Sequence, residues 1–322
     1  MISAASAFSA MSALHKSGVI GMNRRNLTLI SEYNSPRNMR LVDDKTITKR
    51  LALEAGIPAP GLYGLVHNTR DCSRVDHFID RQVGAVIKPA KGSQGQGILV
   101  ITEHYEANWR KANGQCVYAD DLNYHTINVV SGLFSLGGQP DKAMVEERVQ
   151  FTDHFNDIAV KGVPDIRVIV LKGVPIAAML RLPTSESDGK ANLHRGGVGA
   201  GVDLCTGKTY GAMHHGLRIK EHPDTKNTLD GVAIPHWETI LEMSARAYDI
   251  TQLGYLGVDI VLDKERGPLL LELNARPGIS IQVANGKGLL SRIQHIESLN
   301  TEGLSADKRA FLGQMVNRSE GH

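Results

Sequence analysis

The sequence predicts an α+β fold, and three observations carry that prediction. Apolar runs of strand length recur along the chain, and two pairs of them read as hairpins. A helical stripe over Pro235–Leu253 lies between groups of such runs. Strands and helices also interleave without the regular alternation that a parallel, doubly wound sheet requires.

Taken in order, the first fourteen residues are rich in Ala, Ser and Met. They read as a short amphipathic helix, because a signal peptide needs a basic start and a continuous apolar run. Residues 15 to 40 are polar and carry Asn23-Arg24-Arg25-Asn26 and Ser35-Pro36-Arg37-Asn38. These arginines suit a solvated face or an anion contact. A helix follows, opened by Asp43-Asp44 and running from Thr46 to Ala55. Gly56 closes it, and Pro58 and Pro60 prevent its continuation. Val83–Lys88 is a strand ended by Pro89, the loop Ala90–Gly97 is rich in glycine, and Ile98–Thr102 is the next strand. Ala143–Val149 is another. Ile166–Leu171 and Val174–Arg181 form a hairpin turning at Lys172-Gly173. Ser185–Gly201 reads as a charged, glycine-rich loop. In the helix Pro235–Leu253, Trp237, Ile240, Leu241, Ser244 and Tyr248 share one stripe. Two apolar strands then flank a turn at Glu265-Arg266-Gly267-Pro268, and a glycine-rich segment and an amphipathic tail finish the chain.

At 322 residues the chain can fill two or three lobes. Its net charge of +2 gives no electrostatic case for nucleic acid or an anionic membrane. No apolar run approaches the roughly 18 residues of a membrane span. Cys72, Cys116 and Cys205 are widely spaced and read as reduced, packed thiols. Together these features predict a soluble, cytoplasmic protein.

The densest chemical signal lies in Gly257–Ile260 and Leu269–Gly278. Residues two apart on a strand share a face, so Glu272 and Asn274 project together, and a hairpin brings Asp259 beside them. Three hard oxygen donors suit Mg²⁺. Lys88 precedes the loop Lys91-Gly92-Ser93-Gln94-Gly95, whose backbone N–H groups can fold over phosphates. A tight hairpin explains the same loop. It is neither a Walker loop nor a dinucleotide-binding fingerprint. Glu146-Glu147 in an apolar strand fits an exposed edge, or a backbone that reads an adenine edge through Glu147 and Val149 while Asp165 meets ribose hydroxyls. Asn192–Gly197 reads as a phosphate clamp built on Asn192 and Arg195. Arg181 in an apolar strand needs an anion beside it. His194 fits a loop hydrogen bond or a general base. His214-His215 is a poor metal pair, since adjacent strand residues face opposite ways.

This ordered set resembles the ATP-grasp superfamily. Within it, residues 40 to 290 look most like the ribosomal-protein glutamate-adding ligases and their alpha-L-glutamate ligase-like relatives. Asp44-Lys45, Gly92–Gly95, Asn192–Gly197 and Leu271–Asn274 with Pro277-Gly278 carry the resemblance. Pro235-His236-Trp237-Glu238 and Asn274–Pro277 also look like ATP-grasp domains of sugar-transfer gene clusters. The resemblance implies two α+β lobes clasping ATP. It divides the chain into an N-terminal extension over 1–40, lobes over 41–150 and 151–295, and a tail over 296–322. Lys45 and Lys88 would touch the phosphates with Gly92, Ser93, Gln94 and Gly95. Glu147 and Val149 would read adenine, Asp165 would hold the ribose, and Lys190 and Asn192 would line the triphosphate. Asp259, Glu272 and Asn274 would hold two Mg²⁺ ions, for which Mn²⁺ can substitute. Arg181 and Arg195 would face the transferred phosphate and a substrate carboxylate.

The activity implied is a carboxylate–amine ligase working through an acyl phosphate, with glutamate or another amino acid as one substrate and an amine or carboxylate acceptor, up to a peptide or protein. A phosphotransferase and a non-catalytic ATP-binding regulator are the alternatives. The chain departs from the family in having only 44 residues before Lys45, too few for the usual first lobe. That predicts a homo-oligomer or a partner subunit completing the substrate site. The added segments 150–164 and 208–236 are expected at the site's rim.

Overall fold

The computed structural model describes residue 14 and residues 16–92, 95–106, 108–111, 113–160, 162–187 and 189–319. The helix read over the first fourteen residues therefore falls almost wholly outside the described residues, as do Ser93 and Gln94. The chain groups into two compact units, one of residues 43–152 with 263–265 and one of all the rest. The larger unit thus takes in residues up to 42 as well as the C-terminal tail.

The chain enters through consecutive helical segments, Met22–Arg24, Arg25–Ile30 and Ser31–Tyr33, followed by α1 (Pro36–Asp43). In the smaller unit, α2 (Lys45–Glu54) begins at Asp44, whose carboxylate accepts from the Thr46 N–H. Gly56 follows the helix with φ +67°, a left-handed turn that suits glycine. The strands are β1 (Leu62–Val66), β2 (Ala85–Pro89), β3 (Leu99–Tyr105), β4 (Asn108–Lys111), β5 (Cys116–Val117) and β6 (Ala143–Glu147). They form one sheet in the order β1-β6-β2-β3-β4-β5. α3 (Ala119–Val130) buries Leu122, Val129 and Val130 in a core with Ile87, Ile101 and Val145.

The larger unit has seven strands: β7 (Asp165–Leu171), β8 (Val174–Leu182), β9 (Val198–Val202), β10 (Thr209–His214), β11 (Leu217–Ile219), β12 (Tyr255–Asp263) and β13 (Gly267–Asn274). Their order is β11-β10-β9-β8-β7-β12-β13. The β7–β8 hairpin turns at Lys172-Gly173, both with positive φ, as its sequence predicts. Only part of the Ser185–Gly201 stretch is loop, because Val198–Val202 is a fully buried strand. Segment 208–236 likewise contributes β10 and β11 to the sheet.

α4 (Trp237–Thr251) buries Trp237, Ile240, Leu241 and Ser244, four of the five predicted stripe residues. Asn34 ties the entering chain to the sheet. Its Nδ2 donates to the carbonyls of Tyr255 and Ala275, and its Oδ1 accepts from the Tyr255 N–H. Ile20 and Leu29 add to a core with Ile169, Ile176 and Ile293. The tail forms a helix, Ala306–Ser319, whose Arg309 donates to both carboxylate oxygens of Asp249 on α4 at 2.7 Å. The three cysteines form no disulfide. Among the described residues, no helix is long and apolar enough to cross a membrane.

Candidate active site

In the smaller unit, the sheet and α2 bring basic groups around one acid. Lys88 on β2 and Glu146 on β6 are both buried, and their charges meet at 2.6 Å. Lys49, on α2, lies 3.0 Å from the other oxygen of Glu146 and donates to the Pro60 carbonyl. Burial would raise the Glu146 carboxyl, but the two lysines outweigh it and hold the group below its ordinary range. Sequence reasoning missed Lys49 and Glu146 as a pair, because a lysine within a helix and an acid in an acidic dipeptide both read as solvated.

This triad yields a pH prediction. A depressed carboxyl contributes stability that is complete above its unfolded value and is lost as pH falls through the folded one. Glu146→Gln should therefore flatten the loss of stability expected of the wild-type chain as pH falls below the ordinary glutamate range. Denaturant unfolding at a series of pH values measures it, and identical acid limbs would contradict it.

The glycine-rich loop is anchored at its base. Lys45 Nζ donates to the Gly92 carbonyl at 2.6 Å, and the Lys91 N–H donates to Asp141 at 2.8 Å. Gly92 bridges to Ser135, and a Cβ on Gly92 would lie 2.2 Å from Pro89. Gly95 and Gly97 take positive φ. Lys45, Lys88, Gly92, Glu147 and Val149 thus belong to one unit. Glu147 ends β6, where its Oε2 accepts from the Gly61 N–H at 2.9 Å, and Val149 is buried just beyond.

In the larger unit, register aligns the other charged groups. Asp165 is opposite Arg181 across β7 and β8, and Arg167 is opposite Asp259 across β7 and β12. Directly opposed residues share a face. The Arg167 guanidinium grips both oxygens of Asp259, at 2.6 and 2.5 Å. Arg181 reaches Asp259 at 2.9 Å and also pairs with Asp165. Asn274 Nδ2 donates to Asp259 Oδ2 at 3.3 Å, so the predicted meeting of β12 and β13 side chains occurs. Glu272 stands two residues before Asn274 on β13.

Burial and the neighbouring charge of Asp259 push Asp165 up to about 6 against the pull of Arg181. Asp259 is also buried, but Arg167 and Arg181 hold it at about 2. The anion that Arg181 requires is supplied by these two acids. The sequence singles out Asp165-Ile166-Arg167 as a segment but gives Arg167 no role of its own, although its spacing from Asp165 puts both on one face.

Asp259, Glu272 and Asn274 fit Mg²⁺ in donor chemistry. All three offer hard oxygens from adjacent strands, and Asp259 stays ionised. In the structure, Asp259 spends both its oxygens on guanidinium groups.

The Asn192–Gly197 segment forms a tight turn. Asn192 caps it by accepting from the His194 N–H at 2.9 Å, Gly196 takes φ +87°, and His194 and Arg195 are exposed. The Lys190 N–H donates to the Ser187 carbonyl. The reading of His214-His215 requires correction. Their rings lie 4.1 Å apart, because His215 leaves the strand with φ +50° and the alternation of faces ends there.

Residues 24–298 match the sequence model of the sugar-transfer associated ATP-grasp family. A probable alpha-L-glutamate ligase of Aeromonas salmonicida is 26% identical over 83% of this chain and 67% of its own length. One from Aliivibrio fischeri is 28% identical over 80% of this chain and 60% of its own. The chain thus spans about two thirds of these relatives. Among solved structures, the ATP-grasp ligase PsnB with a minimal precursor matches at TM-score 0.45 and 16% identity, covering 82% of this chain and 62% of that one. D-alanine–D-alanine ligase from Bacillus anthracis with ATP matches at TM-score 0.40 and 14% identity, over 87% and 69%.

Proposed function

The chain belongs to the sugar-transfer associated ATP-grasp family, and from that premise we propose that it is an ATP- and Mg²⁺-dependent carboxylate–amine ligase. One observation carries the reading: Asp165, Arg181, Arg167, Asp259 and Asn274 form a single network on one sheet face. Guanidinium groups paired with Asp259, beside Asn274, support assigning phosphate and metal chemistry to this face.

In the proposed reaction, a carboxylate oxygen of the substrate attacks the γ-phosphorus of ATP and ADP leaves. An amine then attacks the acyl carbon, phosphate leaves, and the amine loses its proton. Carboxylate and triphosphate repel each other, so cationic groups must act before attack. Lys88, Lys45 and the N–H groups of the Gly92–Gly95 loop are assigned to the phosphates. The backbones of Glu147 and Val149 are assigned to adenine, and Asp165 to ribose. Lys190 and Asn192 are assigned to the triphosphate, and Arg181 and Arg195 to the transferred phosphate and the substrate carboxylate, which a guanidinium can hold with two prongs. Asp259, Glu272 and Asn274 would hold Mg²⁺, which would supply charge neutralisation at the phosphates. Glutamate is the proposed amino acid, by likeness to the alpha-L-glutamate ligases.

Nucleotide affinity tests the assignment of the smaller unit. Lys88→Met keeps the apolar stem and leaves Glu146 paired with Lys49. ATP binding measured by calorimetry should weaken by roughly 10-fold or more. Unchanged affinity in a folded variant would remove Lys88 from the phosphates. The ligase itself predicts that ATP yields ADP and free phosphate only when a carboxylate is supplied. AMP and pyrophosphate as products would overturn it.

A further inference from the structure

We propose that Glu186, His214 and His215 form a second metal site, for a transition metal of the Zn²⁺ class, separate from the Asp259 set. His214 closes β10 and pairs with Leu217 at the start of β11. The two residues between them, His215 and Gly216, both take positive φ, at 50° and 76°. That two-residue turn reverses the chain tightly. It also swings the His215 ring back beside the His214 ring, which an extended backbone would prevent.

The two imidazoles converge on one carboxylate. Glu186 Oε2 lies 2.8 Å from His215 Nε2 and 3.7 Å from His214 Nε2. One ligand atom from each residue falls within 4.8 Å of the others. Donors about 2.0–2.1 Å from a tetrahedral Zn²⁺ sit roughly 3.3 Å apart, so small side-chain movements close the set. The Gly196 carbonyl, 3.0 Å from His214 Nε2, is a further oxygen at the same place.

The backbone that carries Glu186 is tied down on both sides. Asp224 accepts from the Ser185 N–H at 2.9 Å and from its hydroxyl at 2.5 Å. Ser187 and Thr184 exchange hydrogen bonds, each N–H donating to the other's hydroxyl. Across from Glu186 stands Gly196, where a Cβ would come within 2.8 Å of the Glu186 carboxyl carbon. The φ of +87° at Gly196 favours glycine, and the Glu186 side chain takes up the space that a Cβ there would share.

A surface ion pair accounts for one histidine and one acid, and it stabilises little. It does not account for a second imidazole brought in by a left-handed residue beside an acid on a hydrogen-bonded turn. Two imidazoles and a carboxylate are the donors that Zn²⁺ and its neighbours favour, whereas Mg²⁺ and Ca²⁺ favour all-oxygen sites. A metal there would pin the loop carrying Lys190, Asn192 and Arg195 to the β10–β11 hairpin.

The test uses the full chain stripped of metal with a chelator. Titration with Co²⁺ alone should give visible absorption bands of a low-symmetry site, saturating at one ion per chain. Zn²⁺ should displace it, and millimolar Mg²⁺ should not. His215→Asn keeps a residue that tolerates left-handed backbone, and Glu186→Gln keeps shape. Each should weaken Co²⁺ binding at least about 10-fold, while His295→Gln, a histidine outside the trio, should leave it unchanged. Circular dichroism confirms that the variants are folded. Absence of a Zn²⁺-displaceable band, or folded variants that bind as the wild type does, would reduce the trio to a surface ion pair.

Discussion

Replacing Asp259 with Asn is expected to destabilise the larger unit by about 3–5 kcal/mol and to abolish ATP turnover. Both carboxylate oxygens of Asp259 accept from Arg167, Arg181 pairs with Oδ2, and Asn274 donates to the same oxygen. Asn matches the shape but removes the charge. It also presents an NH₂ group where only acceptors fit, so two half-buried guanidinium groups would keep Asp165 as their one remaining acid. Uncompensated buried charge is among the largest single-residue penalties known. Adding Arg167→Met to Asp259→Asn should recover part of the lost stability, since it removes one of the stranded charges, but none of the turnover. Denaturant unfolding of the single and double variants measures this. A single variant as stable as wild type would mean that the network does not hold its sheet face together.

The second large effect falls on chemistry alone. Glu272→Gln should lower ADP formation by at least ~100-fold, about 2.7 kcal/mol of transition-state stabilisation, while the unfolding transition changes little. Glu272 is partly exposed on β13 rather than buried with Asp259, so solvent screens the charge that the substitution removes. Steady-state turnover at saturating Mg²⁺ is the measurement. Wild-type rates in the variant would take Glu272 out of the metal set.

How much of this the sequence disclosed follows from the range of each signal. Local signals read well. The Asp44 cap and Gly56 stop bound α2, and the Lys172-Gly173 turn fixes the β7–β8 hairpin. The period-two spacing of Glu272 and Asn274, with the turn before them, anticipates the contact of Asn274 with Asp259.

Signals that depend on distant partners did not read. Val198–Val202 carries two glycines and looks like loop, but neighbouring strands on both sides bury it. Lys49 looks like a solvated helix residue until β6 brings Glu146 beside it. Asn34 shows no local sign that its amide joins β12 to the turn after β13, across 221 and 241 residues of sequence. His214 and His215 obey strand alternation on paper, and one left-handed residue undoes it. Family membership rests on the ordered set of motifs taken together, since each motif alone had a plain structural alternative.

The most direct test of the ligase reading is trapping of the activated carboxylate. The full chain is incubated with ATP, Mg²⁺, hydroxylamine and a panel of amino acids that includes glutamate, and hydroxamate, ADP and phosphate are assayed together. Hydroxylamine is a strong nucleophile that bypasses recognition of the natural amine, so an acyl phosphate should be captured as a hydroxamate with equal amounts of ADP and phosphate. Arg181→Lys should keep ATP binding and lose hydroxamate, because a single ammonium cannot reproduce the two-pronged guanidinium. A phosphorylated hydroxyl compound formed without free phosphate, or ATP bound without any turnover across the panel, would contradict the account.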